Sequence, residues 1–258
     1  MKTLKRGDRG PEVKELQEWL NLHDFGTGID GDFGPATEET LKRFQLNEGL
    51  VADGIAGPNS WNALLLPMTN ATAISPRADP PMVSYREAVI EYARQHLIEH
   101  PREVGGQNRG PWVRLYCMGN DGEPWAWCAG FVSYILQQAT NHHGVECPIK
   151  YTLSCDQMAK DAIEADRLNR WASKETDGVH PSVVVKPGDV FLVYRGNNDW
   201  THTGIVTSVS TTSIQTIEGN TNDDGSREGY EVCARTRSYD SLDFIRTDAT
   251  QLLMSLGN

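Results

Sequence analysis

The 258-residue sequence contains no apolar run of the ~18 residues that a membrane-spanning helix needs, so no membrane span is predicted. It has no excess of basic residues either: 35 Asp and Glu outnumber 24 Lys and Arg, and the formal net charge is −11. Proteins hold the phosphate backbone largely through Lys and Arg, and this balance therefore argues against a nucleic-acid partner. The N-terminus is basic but lacks the apolar segment of a secretory signal peptide. We therefore expect the chain to be made in the cytoplasm without a signal peptide.

Metal-binding cysteine patterns are absent as well. The sequence has no CxxC pair and no His-rich ligand spacing, so neither a structural zinc site nor any other metal or cofactor is predicted. An odd number of cysteines leaves at least one thiol unpaired in a monomer, which is the expected oligomeric state. The question becomes which thiol is reactive. The cysteines are Cys117, Cys128, Cys147, Cys155 and Cys233.

Composition changes sharply in the first third of the chain. Residues 67–83 contain four prolines and show neither a helical nor a strand period, which is typical of a linker. The sequence therefore predicts a multidomain protein, with a small domain over residues 1–66 and a larger domain over residues 84–258.

The small domain is predicted to be all-α, with three helices. Pro11, Pro35 and Pro58 each follow a glycine and are suited to the first position of a helix. Two similar Asp-Gly turns, IDGDFGP (29–35) and ADGIAGP (52–58), form a weak internal repeat between the helices. The apolar residues expected to form the core of the domain are Leu16, Leu20, Leu41, Phe44 and Trp61.

The motifs GxxGxxVxxLQxxL, DGxFGxxT and FQ follow one another within residues 3–66. Together they resemble the peptidoglycan-binding domain found at the ends of bacterial and phage cell-wall hydrolases. The resemblance implies that peptidoglycan is a partner and that a shallow groove binds its glycan or stem peptide. Asp30, Asp32 and Phe33, on the first turn, are the candidate contacts.

The larger domain begins with a helical signal and ends with strand signals. Ser84 and Glu87 form a capping-box pattern at the start of a helix. From about residue 183 the apolar period becomes two, which predicts a sheet of antiparallel strands and an α+β fold. The predicted strands cover residues 190–194, 204–210, 214–217 and 231–236.

Cys128 lies at the predicted start of a helix whose buried face carries Phe131 and Ile135. A sulfur there faces unpaired backbone N–H groups and the positive end of the helix dipole. Both favour the thiolate, which is the nucleophilic form. The alternative is a small buried apolar residue, a common fate of an unpaired cysteine, and Cys128 alone does not decide between the two.

His202 lies at the start of the second predicted strand. A turn near residues 211–212 would place it opposite Asn220 or Thr221 on the next strand. Glu218 and Asn220 are two residues apart and therefore share a face. The hairpin can bring an imidazole within reach of a carboxylate or a carboxamide, which is the orienting pair that a Cys–His catalyst requires.

The segments PWAWCAGFV, KPGDVFLV, HTGIV and IEGN occur in this order. Over roughly residues 84–245 the chain resembles the CHAP family of cysteine- and histidine-dependent amidohydrolases and peptidases. The resemblance implies a papain-like cysteine hydrolase in which Cys128 attacks an amide carbonyl and His202 protonates the leaving amine. Glu218 would orient the imidazole, and Asn220 would share that task or stabilise the oxyanion.

Other residues of the larger domain receive weaker assignments. Trp125 and Trp127, next to the cysteine, are expected to form the cleft wall or the core, and contact with substrate is the alternative. Residues 140–182 form an insertion-like stretch that is expected to shape the cleft. Some family members hold calcium near the cysteine, but Asp121 and Glu123 are too few ligands to predict that here. The four cysteines other than Cys128 are expected to be ordinary thiols.

The combined prediction is a peptidoglycan hydrolase that cuts an amide bond, with an N-acetylmuramoyl-L-alanine amidase favoured over a stem-peptide or cross-bridge endopeptidase. A phage endolysin released through a holin is the first expected setting. A type VI secretion effector neutralised by an immunity protein is the second expected setting. The alternative to an enzyme is an inactive wall-binding module. The site of action would be the cell wall, in the periplasm or in a target cell.

Overall fold

The computed structural model describes residues 1–73, 84–172, 179–222 and 229–248. The chain forms two compact units. The first unit comprises Met1–Ala71 and Arg102–Pro124, and the second comprises Thr72–Pro101 and Trp125–Asn258. Over the described ranges, every helix is too short or too polar to cross a membrane.

Nine helices and six strands are formed by the described residues. In chain order they are α1 (Pro11–Leu22), α2 (Pro35–Asn47), α3 (Pro58–Leu64), α4 (Leu66–Thr72), α5 (Tyr85–Glu99), α6 (Pro111–Tyr116), α7 (Cys128–His143), α8 (Cys155–Glu164), β1 (Leu168–Asn169), α9 (Pro181–Val184), β2 (Val190–Tyr194), β3 (Trp200–Val209), β4 (Ser213–Thr221), β5 (Glu231–Ser238) and β6 (Leu242–Ile245).

The first unit is helical, as predicted. Helices α1, α2 and α3 each begin with proline after a glycine cap. Proline is tolerated there because an N–H in the first turn of a helix has no intrahelical acceptor. All five apolar residues predicted to form the core of this unit are buried.

The two Asp-Gly turns of the first unit share one hydrogen-bonding pattern. Gln17 Nε2 donates to Asp30 Oδ1 at 2.8 Å, and Gln17 Oε1 accepts from the Gly31 N–H at 2.8 Å. In the second turn Gln45 Nε2 donates to Asp53 Oδ1 at 2.9 Å. The weak sequence repeat is therefore a structural repeat, in which a buried glutamine fixes each turn.

The predicted linker is wrong at its start. Residues 67–72 belong to helix α4, where Pro67 lies in the first turn and therefore removes no intrahelical hydrogen bond. The rest of the predicted linker, residues 74–83, lies outside the described part of the chain.

The first unit also contains a segment that the sequence assigned to the larger domain. Trp112 packs edge-on against Trp19, with ring centroids 6.1 Å apart. Arg114 Nη2 pairs with Glu18 Oε2 at 2.5 Å, and Glu18 is only 2% exposed. A buried carboxylate needs such a charged partner. The structure therefore places residues 102–124 with the N-terminal helices, which differs from the predicted boundary at residue 84.

The second unit is built on a six-stranded antiparallel sheet of order β1-β6-β2-β3-β4-β5, with α7 packed against β3 and β4. Ser84 caps α5 with the predicted capping box. The strand period assigned from residue 183 is wrong at its beginning, because Val183 and Val184 end the short helix α9 and are not buried.

The insertion-like stretch, residues 140–182, completes one side of this unit. It supplies α8, which contacts β3 and β1. It also supplies β1, which pairs with β6 through Leu168 and Ile245. The stretch is therefore an integral part of the second unit.

Candidate active site

Cys128 is the first residue of α7, directly after the cap residue Trp127. Its exposed fraction is 6%, so little of the residue is open to solvent. The backbone N–H of Ala129 contributes to lowering the pKa of the Cys128 thiol. The structure thus places the sulfur at the N-terminal end of a helix, where the sequence put it and where a thiolate is favoured.

His202 and Glu218 lie on neighbouring strands of the sheet, β3 and β4. The distance between His202 Nε2 and Glu218 Oε2 is 2.8 Å. The carboxylate can only accept, so Nε2 carries a proton and donates it. The Cys128 sulfur also acts on the imidazole, because its interaction with the ring raises the pKa of His202, and Nδ1 is the ring nitrogen that Glu218 leaves available. The structure therefore brings together the three residues that the sequence proposed.

The contacts of Cys128, His202 and Glu218, which form a row, shift the pKa of each residue. Burial raises the pKa of Glu218, but hydrogen bonds from Arg237 and His202 outweigh it and lower the pKa to about 2. Burial lowers the pKa of His202, but hydrogen bonds to Cys128 and Glu218 raise it to about 9. A hydrogen bond from Cys155, opposed by burial and reinforced by His202, holds the pKa of Cys128 well below its usual value. These shifts favour a thiolate–imidazolium pair backed by a carboxylate.

Two further side chains hold Glu218 in place, and the sequence analysis missed both. Arg237 donates from Nε to Oε1 and from Nη2 to Oε2 of Glu218, each at 2.6 Å, which is a bidentate pair. Thr216 Oγ1 donates to Oε1 at 2.5 Å. Thr216 is two residues before Glu218 on the same strand. Side chains two apart on a strand share a face, so the sequence could have predicted this contact. Arg237 required the register of β4 and β5, in which it lies opposite Ile214, and no short turn fixes that register because residues 222–230 separate the two strands.

Cys155 corrects the expectation that the other cysteines are ordinary thiols. Its Sγ lies 3.7 Å from the Cys128 Sγ, and both residues are buried. Cys155 begins α8, inside the insertion-like stretch. Nothing in the sequence gives the path of that stretch, so no pattern could place its cysteine at the site.

Asn220 makes two hydrogen bonds to backbone groups, and the role proposed for it in catalysis stays a prediction. Its Oδ1 accepts from the Trp127 N–H at 3.0 Å, and its Nδ2 donates to the Gly229 carbonyl at 2.6 Å. Asn220 has a positive φ of 55°, in the left-handed region. These bonds tie the end of β4 to the residue that immediately precedes Cys128.

Gly204 permits the close approach of β3 and β4 at the site. A Cβ on Gly204 would lie 2.8 Å from Glu218 Cγ, 2.7 Å from Phe191 Cε1 and 3.0 Å from the Ile217 carbonyl oxygen. Only a residue without a side chain fits between the ring of Phe191 and the carboxylate side chain.

Gly204→Ala is expected to destabilise the protein by about 1–3 kcal/mol, as overpacking does, and to lower activity by displacing Glu218 from His202. Chemical denaturation would measure the first effect and turnover the second. Gly26→Ala is the matched control, because a Cβ there meets no atom within 4 Å. Wild-type stability in Gly204→Ala would contradict this account of the packing.

Two of the predicted substrate contacts are wrong. Phe33 and Trp127 are fully buried, with no surface to offer a polymer, and each packs into the core of its own unit. Asp30 is exposed and Asp32 and Trp125 are half-buried, and their contact with substrate stays a prediction. Asp32 Oδ2 also pairs with Arg9 at 2.8 Å.

The acidic pair considered for calcium lies in the first unit. Asp121 Oδ2 accepts from Arg114 Nη1 at 2.7 Å, and Glu123 contributes its backbone carbonyl to Asn108. Within the ranges that the structure describes, no group of three or more His, Cys, Asp and Glu side chains could hold a metal ion.

Two known families match the chain. Residues 9–64 match the family described as "Putative peptidoglycan binding domain", and residues 118–220 match the family described as "CHAP domain". The protein is thus a fusion of a helical peptidoglycan-binding domain with an α+β, papain-like domain that has an antiparallel sheet.

Individual relatives match over shorter lengths. A zinc D-Ala-D-Ala carboxypeptidase of Streptomyces albus G is 47% identical over 67 residues, which are 24% of this chain and 26% of that protein. The N-acetylmuramoyl-L-alanine amidase CwlM of Mycobacterium tuberculosis is 39% identical over 27% of this chain and 17% of its own length. The chain thus spans about a quarter or less of these two relatives. A Burkholderia AP3 phage endolysin structure is 37% identical, covering 38% of this chain and 34% of that one, with a TM-score of 0.25.

Proposed function

We propose that this protein is a peptidoglycan hydrolase that cleaves an amide bond with a cysteine nucleophile. The observation that carries the proposal is the row formed by Cys128, His202 and Glu218, whose contacts favour a thiolate beside an imidazolium. The peptidoglycan-binding and CHAP families support the substrate class. Relatives named as a carboxypeptidase and as amidases support action on the same polymer.

In the proposed mechanism the Cys128 sulfur attacks the amide carbonyl carbon, and the carbonyl electron pair moves onto oxygen. Backbone N–H groups at the start of α7, among them that of Cys128, are donors for this oxyanion, because the first turn of a helix leaves them unpaired. His202 then gives its proton to the leaving amine as the C–N bond breaks and a thioester remains. Water, deprotonated by the neutral imidazole, hydrolyses the thioester and restores the thiolate–imidazolium pair.

The remaining residues of the site hold these groups in place. Glu218 accepts the Nε2 proton of His202 in a hydrogen bond and so keeps the other ring nitrogen directed at the sulfur. Arg237 and Thr216 keep the carboxylate from rotating. Asn220 anchors the backbone before Cys128, and its contacts support this role over the two considered from the sequence.

We infer that the bond is the amide between muramic acid and L-alanine, which makes the enzyme an N-acetylmuramoyl-L-alanine amidase. The amidase names of two Bacillus licheniformis relatives and one Mycobacterium tuberculosis relative support it. An endopeptidase that cuts within the stem peptide or cross-bridge is the alternative, and the carboxypeptidase name favours chemistry on the stem peptide.

Two biological settings are proposed for this activity. In the first the protein is a phage endolysin released through a holin, and holin and tail genes would lie beside its gene. In the second it is an exported antibacterial effector, and a small periplasmic immunity protein would be encoded next to it. Inspection of the neighbouring genes distinguishes the two.

Digestion of purified sacculi tests the proposed reaction class. An amide hydrolase creates one new amino group for each bond cut and no new reducing sugar. We therefore expect free amino groups to rise with time while reducing ends stay constant. A rise in reducing ends would contradict the proposal, and so would no release from several wall types, which is the result expected of an inactive wall-binding module.

The pH profile provides a second test, because the imidazolium is required to protonate the leaving amine. We expect kcat/KM on a soluble muropeptide to fall as the pH rises through about 9, where His202 loses its proton. The stability that this raised pKa contributes is complete below the ordinary value of 6.5 and is lost through the same alkaline range. An alkaline limb near 6.5, as for an ordinary histidine, would contradict the ion-pair description.

A further inference from the structure

A second thiol faces the proposed nucleophile from another helix. The Sγ atoms of Cys128 and Cys155 are 3.7 Å apart, within hydrogen-bonding distance for sulfur, and the two residues are 6% and 7% exposed. Each cysteine is the first residue of its helix, α7 and α8 respectively. The positive ends of two helix dipoles therefore meet at the sulfur pair, which favours one negative charge there.

The start of α8 is fixed to the elements that carry the rest of the site. Ser154 caps α8 by accepting from the Gln157 N–H. Asp156 Oδ1 accepts from the N–H of Trp200, which is on β3, two residues before His202. Thr152 exchanges two hydrogen bonds with the Ser133 hydroxyl of α7, at 2.9 and 3.1 Å. Cys155 is thus held between the helix of the nucleophile and the strand of the imidazole.

The two sulfurs differ in protonation, which sets the direction of their hydrogen bond. The contact with Cys128, together with burial, raises the pKa of Cys155 well above its usual value, whereas that of Cys128 is well below. The Asp156 carboxylate on the same helix also disfavours an anion at Cys155. His202 is the cation that lowers the pKa of Cys128, and its own partner Glu218 is held by Arg237. One sulfur is therefore a thiolate and the other is a thiol that donates to it.

We propose that Cys155 is a positioning residue, whose thiol donates a hydrogen bond to the Cys128 sulfur and holds that sulfur, as the anion, against the imidazole. The inference rests on the proposed function of Cys128 as the nucleophile. The insertion-like stretch then has a defined task, since it carries the donor into the site. Cys155 contacts the nucleophile and takes no part in bond making or breaking.

The test is the pH dependence of alkylation of Cys128 by iodoacetamide in the full chain, read by mass spectrometry of the peptide that contains Cys128. Cys155→Ala removes the donor and should raise the apparent pKa of Cys128 by about one unit, since a hydrogen bond to a charged group is lost. Well below that pKa, alkylation should be about tenfold slower. Cys155→Ser keeps a hydroxyl donor and should retain most of the wild-type behaviour.

Cys117→Ala is the matched control, because it removes a buried thiol from the first unit and should leave the pH midpoint unchanged. A wild-type midpoint in folded Cys155→Ala would overturn the inference. An equal shift in Cys155→Ser and Cys155→Ala would also overturn it, because packing rather than donation would then be responsible. If Cys155→Ala fails to fold, Cys155→Ser is the deciding variant. It must keep the low pH midpoint of Cys128 alkylation, and a raised midpoint would overturn the inference.

Alkylation requires no substrate, so failure of this inference and failure of the proposed function can be told apart. A shifted midpoint in Cys155→Ala, with no amino groups released from sacculi by wild type, would support the sulfur contact and contradict the hydrolase. Release of amino groups by wild type, with an unshifted midpoint in Cys155→Ala, would support the hydrolase and contradict the sulfur contact.

Discussion

Cys128→Ala is expected to lose at least about 10⁴-fold in the rate at which amino groups are released from peptidoglycan. The reason is that the mechanism passes through a bond between the carbonyl carbon and this sulfur, and alanine has no atom that can form it. His202 and Glu218 remain, but an imidazole without the thiolate has no nucleophile to serve. Release of amino groups from sacculi, followed over time at neutral pH, measures the effect.

The control variants separate chemistry from folding and binding. Cys117→Ala should digest sacculi at the wild-type rate, because that thiol belongs to the first unit. Cys128→Ala should still sediment with sacculi, since the peptidoglycan-binding family matches residues 9–64, away from the substitution. Binding is expected to keep the catalytic residues at high effective concentration on an insoluble polymer. More than a tenth of wild-type activity in Cys128→Ala would rule out this sulfur as the nucleophile.

Binding is best measured with the full chain rather than by deleting residues 1–66. Such a deletion would remove Glu18 and Trp19, which pair with Arg114 and Trp112. The loss of a buried charge pair and an aromatic contact would destabilise the segment 102–124. A fall in activity would then report unfolding as well as lost binding.

Glu218→Gln is expected to lower turnover by about 10²-fold and to move the alkaline limb of the pH profile below about 9. The amide oxygen can still accept from His202 Nε2, so the imidazole keeps its orientation. The negative charge that raises the pKa of His202 is lost, however, and the charge of Arg237 then acts on the imidazole without compensation. The imidazolium therefore loses its proton at lower pH.

Arg237→Met should shift the same limb in the opposite direction. The cation shares the Glu218 carboxylate with His202, and its removal leaves more of the negative charge to act on the imidazole. The pKa of His202 should then rise above about 9. Stability should fall by about 3 kcal/mol, because a fully buried carboxylate loses its bidentate partner.

Together these two variants test the arrangement of charges at the site. The measurements are kcat/KM against pH on a soluble muropeptide, and thermal unfolding for stability. Shifts of the limb in the same direction for Glu218→Gln and Arg237→Met would contradict the arrangement. An unchanged limb in both would show that His202 is not the group that titrates.

Local signals were sufficient to predict most elements of the fold. Pro11, Pro35 and Pro58 marked three helix starts, and Ser84 with Glu87 marked a fourth. The strand from 190 to 194 was predicted to the residue. These signals succeed because caps, prolines and apolar periods act within a few residues. The division between the units was not predictable, because Trp112 and Arg114 meet Trp19 and Glu18 across about ninety positions of sequence.

The site divides in the same way. Cys128, His202 and Glu218 could be proposed because a helix start and one hairpin relate them. Cys155 and Arg237 could not be proposed, because Cys155 lies in an insertion of unknown path and Arg237 lies on a strand whose register no short turn fixes. Burial was misjudged for Phe33, since an aromatic residue beside a motif can face either the core or the solvent.

The central claim is that Cys128 drives hydrolysis of an amide bond in peptidoglycan, at the junction of muramic acid and L-alanine. The most direct test is mass spectrometry of the fragments released from purified sacculi by wild type and by Cys128→Ala in parallel. The account predicts stem peptides free of muramic acid from wild type and no fragments from the variant. Shortened or uncrosslinked muropeptides from wild type alone would support Cys128 as the nucleophile and identify the enzyme as an endopeptidase instead of an amidase. Equal release by both proteins would contradict the central claim.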